Sequence, residues 1–561
     1  MCLVPPLAVY QWTHEEEPMR GAKSAKWVAI AAVVALGATA CGGGSGDSGS
    51  GDKSAAIDPN GKFSIEVGEP QNPLQPANTM ESNGSIVTRA LFSTLVDYDK
   101  SGKIVMVNAD SVDTTDNKTF TVKLKKGWKF HDGTPVTAES YVKAWNWAAT
   151  PANKQTNSFW FADIKGYSDV APESGKPKAT EMSGLKVVDD STFTIELTTA
   201  IPYFVYKLGY EVFSPLPESF YKDPAAAGKK PIGNGPYKFV SWDNKKQIEV
   251  ARYDDYQGPN KAKNGGVIFK NYTNLETAYE DLKSGNVDVL RQIAPKDLPV
   301  YKTDLGDRGV DMAYSAVQTI APAFYTKQWK DIDPKVLQGL SMAIDRQTIT
   351  KTVLQGTREP ATGWVAKGVL GYQDSLGSDI FTYNPTKAKQ LIKEGGGVPK
   401  NAISIQYNAD GGHKEWVAAV CNSITKATGV KCTGDSKADF QADLNARDAQ
   451  EVKSMYRSGW VLDYPFNANF LRDLFGTKSS GNQSGFSNKE VDNLIAQADA
   501  AKSQDESMKL YQDLEKKLPN YMPSIPLWYY KVNAGYSENV TGVAYAQDGD
   551  PVLTGVQVKK K

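Results

Sequence analysis

The sequence contains few residues that commonly bind transition metals. It has three histidines, His14, His131 and His413, and four cysteines, and their spacing does not match a zinc site. No G-x-S-x-G elbow, Walker A loop or Rossmann glycine fingerprint occurs where a strand would meet a helix. These absences argue against a transition-metal enzyme, and we expect no metal and no cofactor.

The chain also lacks a net charge. Lysine plus arginine and aspartate plus glutamate both number 64, and there is no long basic run apart from the last three lysines. A balanced charge creates no long-range field that would attract nucleic acid, so we expect no nucleic-acid partner. With 561 residues, 40% of them hydrophobic, the chain is long enough for two or three domain-sized cores.

The N-terminal region lacks an apolar run that could cross a bilayer. Residues 27–40 (WVAIAAVVALGATA) form an uncharged stretch of 14 residues, whereas a transmembrane helix needs about 20. Residues 19–26 carry three positive charges, so residues 19–40 are predicted to be a signal peptide. Residues 1–18 include three consecutive glutamates, which do not suit an export leader, and translation is predicted to begin at Met19.

The end of this apolar run predicts a lipid anchor. The segment ATAC at 38–41 resembles a bacterial lipobox, in which the cysteine receives a diacylglyceryl group. We predict that the mature protein begins at a lipidated Cys41 and is held by the lipid bilayer at the outer face of the cytoplasmic membrane. Residues 41–57, rich in glycine, serine and aspartate, would form a flexible tether. The alternative is ordinary signal peptidase cleavage after Ala40.

The other two cysteines are predicted to form a disulfide. Cys421 and Cys432 lie in VCNSITKATGVKC, which is typical of a helix end, a Gly429 C-cap and a short strand. An exported protein meets an oxidising environment, in which such a pair is expected to be bonded. Closing this loop would contribute about 3 kcal/mol in the chain-entropy model. The alternative is a pair of buried thiols.

Strand patterns recur along the body of the chain. Hydrophobic and polar residues alternate in 63–67, which predicts a half-buried strand, and again in 120–124 and 193–197. Each of the two later runs is approached by a turn-like stretch rich in aspartate and asparagine. The pattern predicts several sheet strands.

Helix signals lie between and after these strands. Thr137 is predicted to cap a helix that runs to about Ala149. Two capping boxes, Ser487-x-x-Glu490 and Ser503-x-x-Glu506, precede segments with helical spacing of apolar residues. Mixed helices and strands without a sequence repeat predict an α/β protein with more than one lobe.

Four separated stretches carry a resemblance to a known family. They are TFTVKLKKGWKFHDGTPVTAESYVKAW (119–145), GNGPYKFVSW (233–242), LSMAIDRQTITKTVLQG (340–356) and GFSNKEVDNLIAQADAAKSQDESMKLYQDLEKKLPNYMPSIPLWYY (485–530). Together they resemble the family 5 extracellular solute-binding proteins, the dipeptide, oligopeptide and nickel receptors of ABC importers. Taken singly, each stretch is mostly scaffold: Asp132 and Gly133 form a turn, and Gly233 and Gly235 are predicted to need unusual backbone angles. The resemblance depends on their order and spacing, and Asn234 replaces the family's usual threonine.

The resemblance implies a two-lobe periplasmic-binding-protein fold of type II, in its large variety with three subdomains. Residues 58–315 and 530–561 would form the first lobe, with a subdomain at about 91–200, and residues 316–529 would form the second. Two crossovers would make a hinge whose rotation closes the lobes on a ligand. The implied partners are the permease subunits of an ABC importer, and we expect a monomer.

A fifth stretch provides candidate ligand contacts. GWVLDYPFNANFL (459–471) is similar to the segment in which peptide receptors of this family place an aspartate against the α-ammonium of the peptide, which assigns that role to Asp463. A buried ammonium needs a carboxylate partner. Trp460 and Tyr464 would line side-chain pockets. The alternatives are that Asp463 caps a turn before Pro465 and that both aromatic residues belong to the core.

Further candidates come from the first lobe. GEPQNPLQP (68–76) resembles the strand and loop that run antiparallel to a bound peptide, and TNSFWF (156–161) occupies the region where relatives place an aromatic lid. The resulting candidate contacts are Glu69, Gln71, Asn72, Pro73, Phe159 and Trp160. His131 lies in the scaffold turn and is not expected to bind a metal.

The predicted function is capture of a short peptide between the lobes and its delivery to the permease. One alternative is a receptor of the same fold for a nickel complex, a siderophore-like compound or an oligosaccharide, since fold alone does not select the ligand. Another is an exported hydrolase, which would need a paired acid and base that the sequence does not identify. Asp463 favours a ligand with an amine, and we expect a binding protein without enzyme activity.

Overall fold

One large sheet organises the molecule. The computed structural model describes residues 56–79, 81–477, 479 and 481–560. Among these, eleven strands form a continuous mixed sheet. Its strands, in spatial order, are Lys431–Lys437, Ala402–Asn408, Met455–Val461, Gly309–Pro322, Ile525–Tyr536, Val289–Leu290, Lys62–Val67, Gly266–Asn271, Gln247–Arg252 and Tyr237–Asp243, with Arg358–Pro360 pairing alongside Ile525–Tyr536.

Two long antiparallel strands connect the halves of this sheet. Gly309–Pro322 and Ile525–Tyr536 pair along most of their length, but the pairing is irregular between Ala313 and Val317. An irregularity of this kind bends the strand and increases its twist locally. The predicted lobe boundaries at 315 and 529 lie in this stretch, and the assignment of residues to lobes stays a prediction.

Smaller sheets complete the strand structure. An antiparallel sheet, called here the four-stranded sheet, contains Ala109–Thr114, Thr119–Leu124, Thr192–Glu196 and Leu185–Asp189 in spatial order. A hairpin joins Val96–Tyr98 to Ile104–Met106, and a three-stranded sheet contains Ile57–Asp58, Gln557–Lys559 and Val540–Thr541. The predicted strand at 120–124 is confirmed, since Phe120, Val122 and Leu124 are buried while Lys123 is exposed.

Helices cover these sheets. The α-helices among the described residues are Ser82–Leu91, Ala138–Ala149, Tyr167–Val170, Phe204–Lys207, Pro224–Ala227, Leu275–Lys283, Tyr301–Leu305, Pro334–Met342, Arg346–Thr348, Pro385–Glu394, Lys414–Thr428, Phe440–Asp448, Ala468–Phe475, Lys489–Asp499 and Gln504–Lys517. A π-helical turn, Ile349–Val353, follows Arg346–Thr348. None of the helices in the described part of the chain is long and apolar enough to span a membrane.

The strand Lys62–Val67 differs from the half-buried strand that its alternation predicts. Ser64 and Glu66, on the polar face, are also buried. The strand is parallel to Gly266–Asn271 and lies inside the sheet, where both faces are covered. The Ser64 hydroxyl donates to Asp288 at 2.9 Å, so the polar face is buried with a hydrogen-bond partner.

Helix ends follow the predictions in part. The helix Ala138–Ala149 begins after Thr137, as predicted. The first predicted capping box is wrong by one residue, because Asn488 rather than Ser487 caps Lys489–Asp499 and its side chain accepts from the backbone of Glu490 and Val491. Ser487 instead accepts a hydrogen bond from the hydroxyl of Thr477.

Only one of the two hydrogen bonds of the second predicted capping box forms. Ser503 caps Gln504–Lys517 and accepts from the backbone N–H of Glu506 at 3.2 Å. The carboxylate of Glu506 accepts from Lys502 rather than from Ser503. The reciprocal bond of a capping box is therefore displaced by one residue.

The glycines of GNGPY are needed for a different reason from the one predicted. Neither Gly233 nor Gly235 has a positive φ angle. A Cβ atom on Gly233 would lie 1.9 Å from the carbonyl oxygen of Leu91, and one on Gly235 would lie 2.6 Å from the Leu91 carbonyl carbon. Close backbone approach, not unusual backbone angles, therefore excludes a side chain at these positions.

A disulfide joins the helix Lys414–Thr428 to the strand Lys431–Lys437. The sulfur atoms of Cys421 and Cys432 are 2.07 Å apart and their Cα atoms 4.8 Å. Gly429, with φ of 82°, ends the helix between them. The predictions for residues 1–18, for the signal peptide at 19–40, for lipidation at Cys41 and for nearly all of the tether at 41–57 lie outside the described residues.

Candidate functional site

Asp463 lies in the loop that follows the strand Met455–Val461. It is half-buried, and Asn469 of the helix Ala468–Phe475 contacts it twice. The Asn469 side-chain nitrogen donates to Asp463 Oδ2 at 2.9 Å, and Asn469 Oδ1 accepts from the Asp463 backbone N–H at 2.9 Å. Among the described residues the carboxylate caps no backbone N–H, so the alternative of a turn cap before Pro465 finds no support here.

The surroundings of Asp463 make its negative charge unfavourable. Burial is the main cause, and the carboxylates of Asp473 and Glu211 add to it. Asn469 and the more distant Lys207 act in the opposite direction, and together these effects raise the pKa of Asp463 to about 8. Within the described chain no Lys, Arg or His forms an ion pair with Asp463. The site therefore favours a ligand that brings its own positive charge.

The strand before Asp463 presents an open edge. The Leu462 N–H donates to the Ser315 carbonyl, and the Ser454 carbonyl accepts from the Ala323 N–H. With the antiparallel register, these bonds show that the even-numbered residues of Met455–Val461 direct their backbone groups towards Gly309–Pro322. Gly459 and Val461 therefore direct their backbone groups to the opposite edge. On that edge the neighbouring strand among the described residues is Ala402–Asn408, and its pairing with Met455–Val461 ends at Tyr456. An extended ligand could add a strand at this edge.

The two aromatic candidates beside Asp463 occupy different positions. Tyr464 is fully buried and its hydroxyl donates to Asp473 Oδ2 at 2.7 Å. Trp460 is half-buried, donates from Nε1 to Asn469 Oδ1 at 3.1 Å, and lines a small cavity with Leu474. Trp460 thus has an exposed part that a ligand could contact, whereas Tyr464 supports the site from within.

Trp160 lies next to Tyr464, the residue that follows Asp463. Its ring stacks on Tyr210 with centroids 4.4 Å apart, and it meets Tyr464 edge-on at 6.0 Å. Phe159 is half-buried and lies beside Trp160, with centroids 6.2 Å apart. The structure therefore brings Trp160, Tyr464 and Asp463 together in one place.

The candidates from 68–76 form a separate group. The carboxylate of Glu69 accepts from Trp242 Nε1, Lys245 N and Asn271 Nδ2, all between 2.9 and 3.0 Å, which is a scaffold role. The backbone N–H of Gln71 donates to Glu81, and the Pro73 carbonyl accepts from Gln75 N. Asn72 is half-buried. Among the described residues no contact joins this group to Asp463, and its role in ligand binding stays a prediction.

Sequence reasoning missed several residues of the site. Asn469 is completely buried and holds both Asp463 and Asp473, the second through Nδ2 at 3.2 Å. Glu211, also buried, accepts from the hydroxyl of Ser85. Asn469 lies six positions after Asp463 and Glu211 is distant in sequence, and neither stands in a periodic or capping pattern that would predict its contact. In the part of the chain that the structure describes, no group of three His, Cys, Asp or Glu residues could hold a metal ion.

The chain belongs to the bacterial extracellular solute-binding proteins of family 5. The model of this family's middle region matches residues 103–482, which is more than half of the chain. The oligopeptide-binding protein OppA of Bacillus subtilis is 27% identical over 550 residues, covering 93% of this chain and 97% of that protein.

Solved structures show the same fold. The murein tripeptide-binding protein MppA of Escherichia coli superposes with a TM-score of 0.78 at 23% identity, covering 90% of this chain and 100% of that one. Haemophilus influenzae OppA in complex with the peptide RPPGFSPFR gives a TM-score of 0.75 at 23% identity, with the same coverage. The predicted α/β fold, with two lobes of the periplasmic-binding-protein type, is confirmed.

Proposed function

We propose that this protein is the receptor of an ABC importer and that it binds short peptides between its two lobes. The relatives named above bind oligopeptides or a murein tripeptide, and one was solved with a nine-residue peptide. These names support a peptide ligand for this chain. In this role the closed receptor, acting as a monomer, delivers the peptide to the permease subunits.

The observation that carries the proposal is the position of Asp463 at the end of an open strand edge. In the proposed complex the peptide backbone lies along Gly459 and Val461, and its α-ammonium contacts Asp463. Main-chain hydrogen bonds of this kind do not depend on side chains, which allows many peptide sequences to bind.

The charge of Asp463 explains why an amine is required. The empty site raises the pKa of this carboxyl group because its charge is poorly solvated. An ammonium ion supplies the missing counter-charge and a charge-assisted hydrogen bond. A ligand without an amine would leave the half-buried carboxylate unpaired or protonated.

The proposal includes an anchor at the outer face of the cytoplasmic membrane. The charged leader, the 14-residue apolar run and the glycine-rich tether support lipidation of Cys41. A diacylglyceryl group provides two acyl chains, which give stable anchoring where one chain gives marginal binding.

Native mass spectrometry of protein purified from its host tests this function. We expect bound masses that fragment into short peptides with free amino termini. The Asp463→Asn variant, purified in the same way, is the matched control and should carry much less peptide. Recovery of a nickel complex, a siderophore-like compound or an oligosaccharide instead would contradict the proposal and favour another solute.

A further inference from the structure

Two lysines lie where the predicted tether enters the folded body. The strand Gln557–Lys559 pairs antiparallel with Ile57–Asp58, and Lys559 is opposite Ile57. The backbone N–H of Lys560 donates to the carbonyl of Ala56 at 2.7 Å. Residues 559–560 are therefore fixed directly beside the end of the predicted tether, residues 41–57.

A third lysine comes from a neighbouring segment. The backbone N–H of Lys263 donates to the carbonyl of Thr554 at 2.9 Å, three residues before the strand Gln557–Lys559 begins. Lys263 and Lys560 are exposed, and Lys559 is half-buried. These three lysines are called here the basic corner. Lys561 follows them in the sequence and lies outside the described residues.

The basic corner has an excess of positive charge. In the part of the chain that the structure describes, none of its three lysines forms an ion pair. The partner strand contributes one acid, Asp58, whose carboxylate accepts from the backbone N–H of Asn60 at 3.0 Å. Acids of the adjoining segments pair with other cations, in the pairs Glu249–Lys62, Asp254–Arg252 and Glu538–Arg308. The corner is thus positive although the chain as a whole carries no net charge.

The tether would keep this corner close to a membrane. About 15 residues separate Cys41 from Ala56, and a glycine- and serine-rich segment of that length spans about 20 Å on average. An anchor at one end makes any second contact with the membrane intramolecular, at a high effective concentration. The potential of an anionic lipid surface acts over about one Debye length, roughly 8 Å at physiological salt. Of the folded body, the part beside Ala56 is the first to enter this range.

We propose that the basic corner docks on anionic headgroups of the membrane that anchors the protein. Docking rests on the membrane anchor of the proposed function and does not depend on the identity of the ligand. Lysine ammonium groups bind phosphate as point charges, and each lysine near an anionic surface strengthens binding about fivefold. Contact at one corner restricts rotation of the tethered body and so favours one orientation towards the permease subunits.

The double variant Lys559→Gln with Lys560→Gln tests this docking. Both residues hold the fold through their backbone, so the substitutions remove charge and leave those contacts in place. The matched control is Lys389→Gln with Lys393→Gln, two exposed lysines of the helix Pro385–Glu394. It changes the net charge by the same amount. Both double variants should keep the melting temperature of the wild type.

Co-sedimentation with vesicles at low ionic strength measures docking. Each protein is the mature chain, residues 41–561, with Cys41→Ser so that no acyl chain contributes. We expect the protein with all lysines to bind vesicles of phosphatidylglycerol and phosphatidylcholine in equal parts, and not vesicles of phosphatidylcholine alone. The Lys559→Gln, Lys560→Gln variant should bind the anionic vesicles about 25-fold more weakly, which is fivefold for each lysine, and the control should bind like the parent.

Three outcomes would overturn the docking. One is that the parent protein fails to bind anionic vesicles or binds both kinds equally. Another is an equal loss in the control variant, which would indicate attraction by net charge alone. The third is stronger displacement by inorganic phosphate than by sodium chloride of the same ionic strength, which would indicate a discrete anion site in place of a membrane surface.

These measurements contain no peptide and no acyl chain, so they remain separate from tests of the proposed function. Native mass spectrometry of the Lys559→Gln, Lys560→Gln variant from its host should show as much bound peptide as the wild type. A loss of bound peptide in this variant would contradict a role confined to the membrane surface.

Discussion

Asn469 fixes Asp463 from two sides, because its side-chain nitrogen donates to the carboxylate and its side-chain oxygen accepts from the backbone of the same residue, both at 2.9 Å. A carboxylate held in this way is oriented before a ligand arrives. Pre-organisation reduces the entropy that binding would otherwise cost. The same asparagine contacts Asp473, so the two acids keep a defined separation.

Peptide binding should release a proton below pH 8. The pKa of Asp463 in the empty protein is raised to about 8, and contact with an ammonium ion lowers it. Because the bound state holds fewer protons, affinity should rise with pH, by about tenfold per unit between pH 6 and pH 7. Above about pH 8 the peptide amine loses its own proton and affinity should fall again.

Calorimetry at pH 7 in two buffers of different ionisation enthalpy measures this release. We expect close to one proton per bound peptide for the wild type and none for Asp463→Asn. Equal heats in the two buffers for the wild type would show that Asp463 does not change protonation on binding.

Gly233→Ala should destabilise the protein. Its new Cβ would lie 1.9 Å from the carbonyl oxygen and 2.7 Å from the carbonyl carbon of Leu91, and these backbone atoms can adjust little. Overpacking of this kind costs typically about 1 to 3 kcal/mol, occasionally more. Thermal unfolding followed by circular dichroism should show a clear decrease in melting temperature. Gly555→Ala is the control, since its Cβ would lie at an ordinary 3.5 Å from Gly542, and an equal decrease there would contradict the explanation.

The disulfide between Cys421 and Cys432 should be present in the exported protein. Alkylation without reduction should add no group to either cysteine, and alkylation after reduction should add two. Intact-mass analysis distinguishes these states. Two groups added without prior reduction would show free thiols. The Cys421→Ser variant should lower the unfolding free energy by about 2 to 4 kcal/mol.

Lipidation at Cys41 should retain the protein at the membrane. The Cys41→Ser variant should appear in the medium or the soluble fraction, because it lacks the diacylglyceryl anchor. Fractionation together with labelled fatty acid incorporation measures the change. A variant that still partitions with membranes and incorporates as much label as the wild type would rule out this anchor.

Local features of the fold could be predicted from the sequence. The strand at 120–124 and the helix after Thr137 depend on periodicity and capping within a few residues, and both form as predicted. The choice between Ser487 and Asn488 as helix cap could not be predicted, since both side chains suit the position. In the structure Ser487 accepts a hydrogen bond from Thr477, ten residues earlier, and Asn488 caps the helix. The contact with Thr477 depends on the tertiary structure, so the local sequence does not reveal it.

Long-range relationships could not be predicted in the same way. The short strand Val289–Leu290 pairs with Lys62–Val67 on one side and with Ile525–Tyr536 on the other, and no local pattern encodes these partners. Contacts between distant residues of the candidate site could not be predicted from local sequence either. Asp463 was found through resemblance to a family, whereas Glu211, distant in sequence, is brought to its neighbourhood by the fold alone.

The contact between Asp463 and a peptide amine is the central claim, and calorimetry on four combinations tests it most directly. Wild type and Asp463→Asn are each titrated with a peptide that co-purifies with the protein and with its N-acetylated form. For the free peptide we predict a loss of about 2 to 5 kcal/mol on substitution, the usual effect of removing one partner of a buried charge pair. The acetylated peptide should bind the wild type weakly and lose little more on substitution, because the interaction is already absent. Equal affinity of the wild type for the free and acetylated peptides would contradict the account.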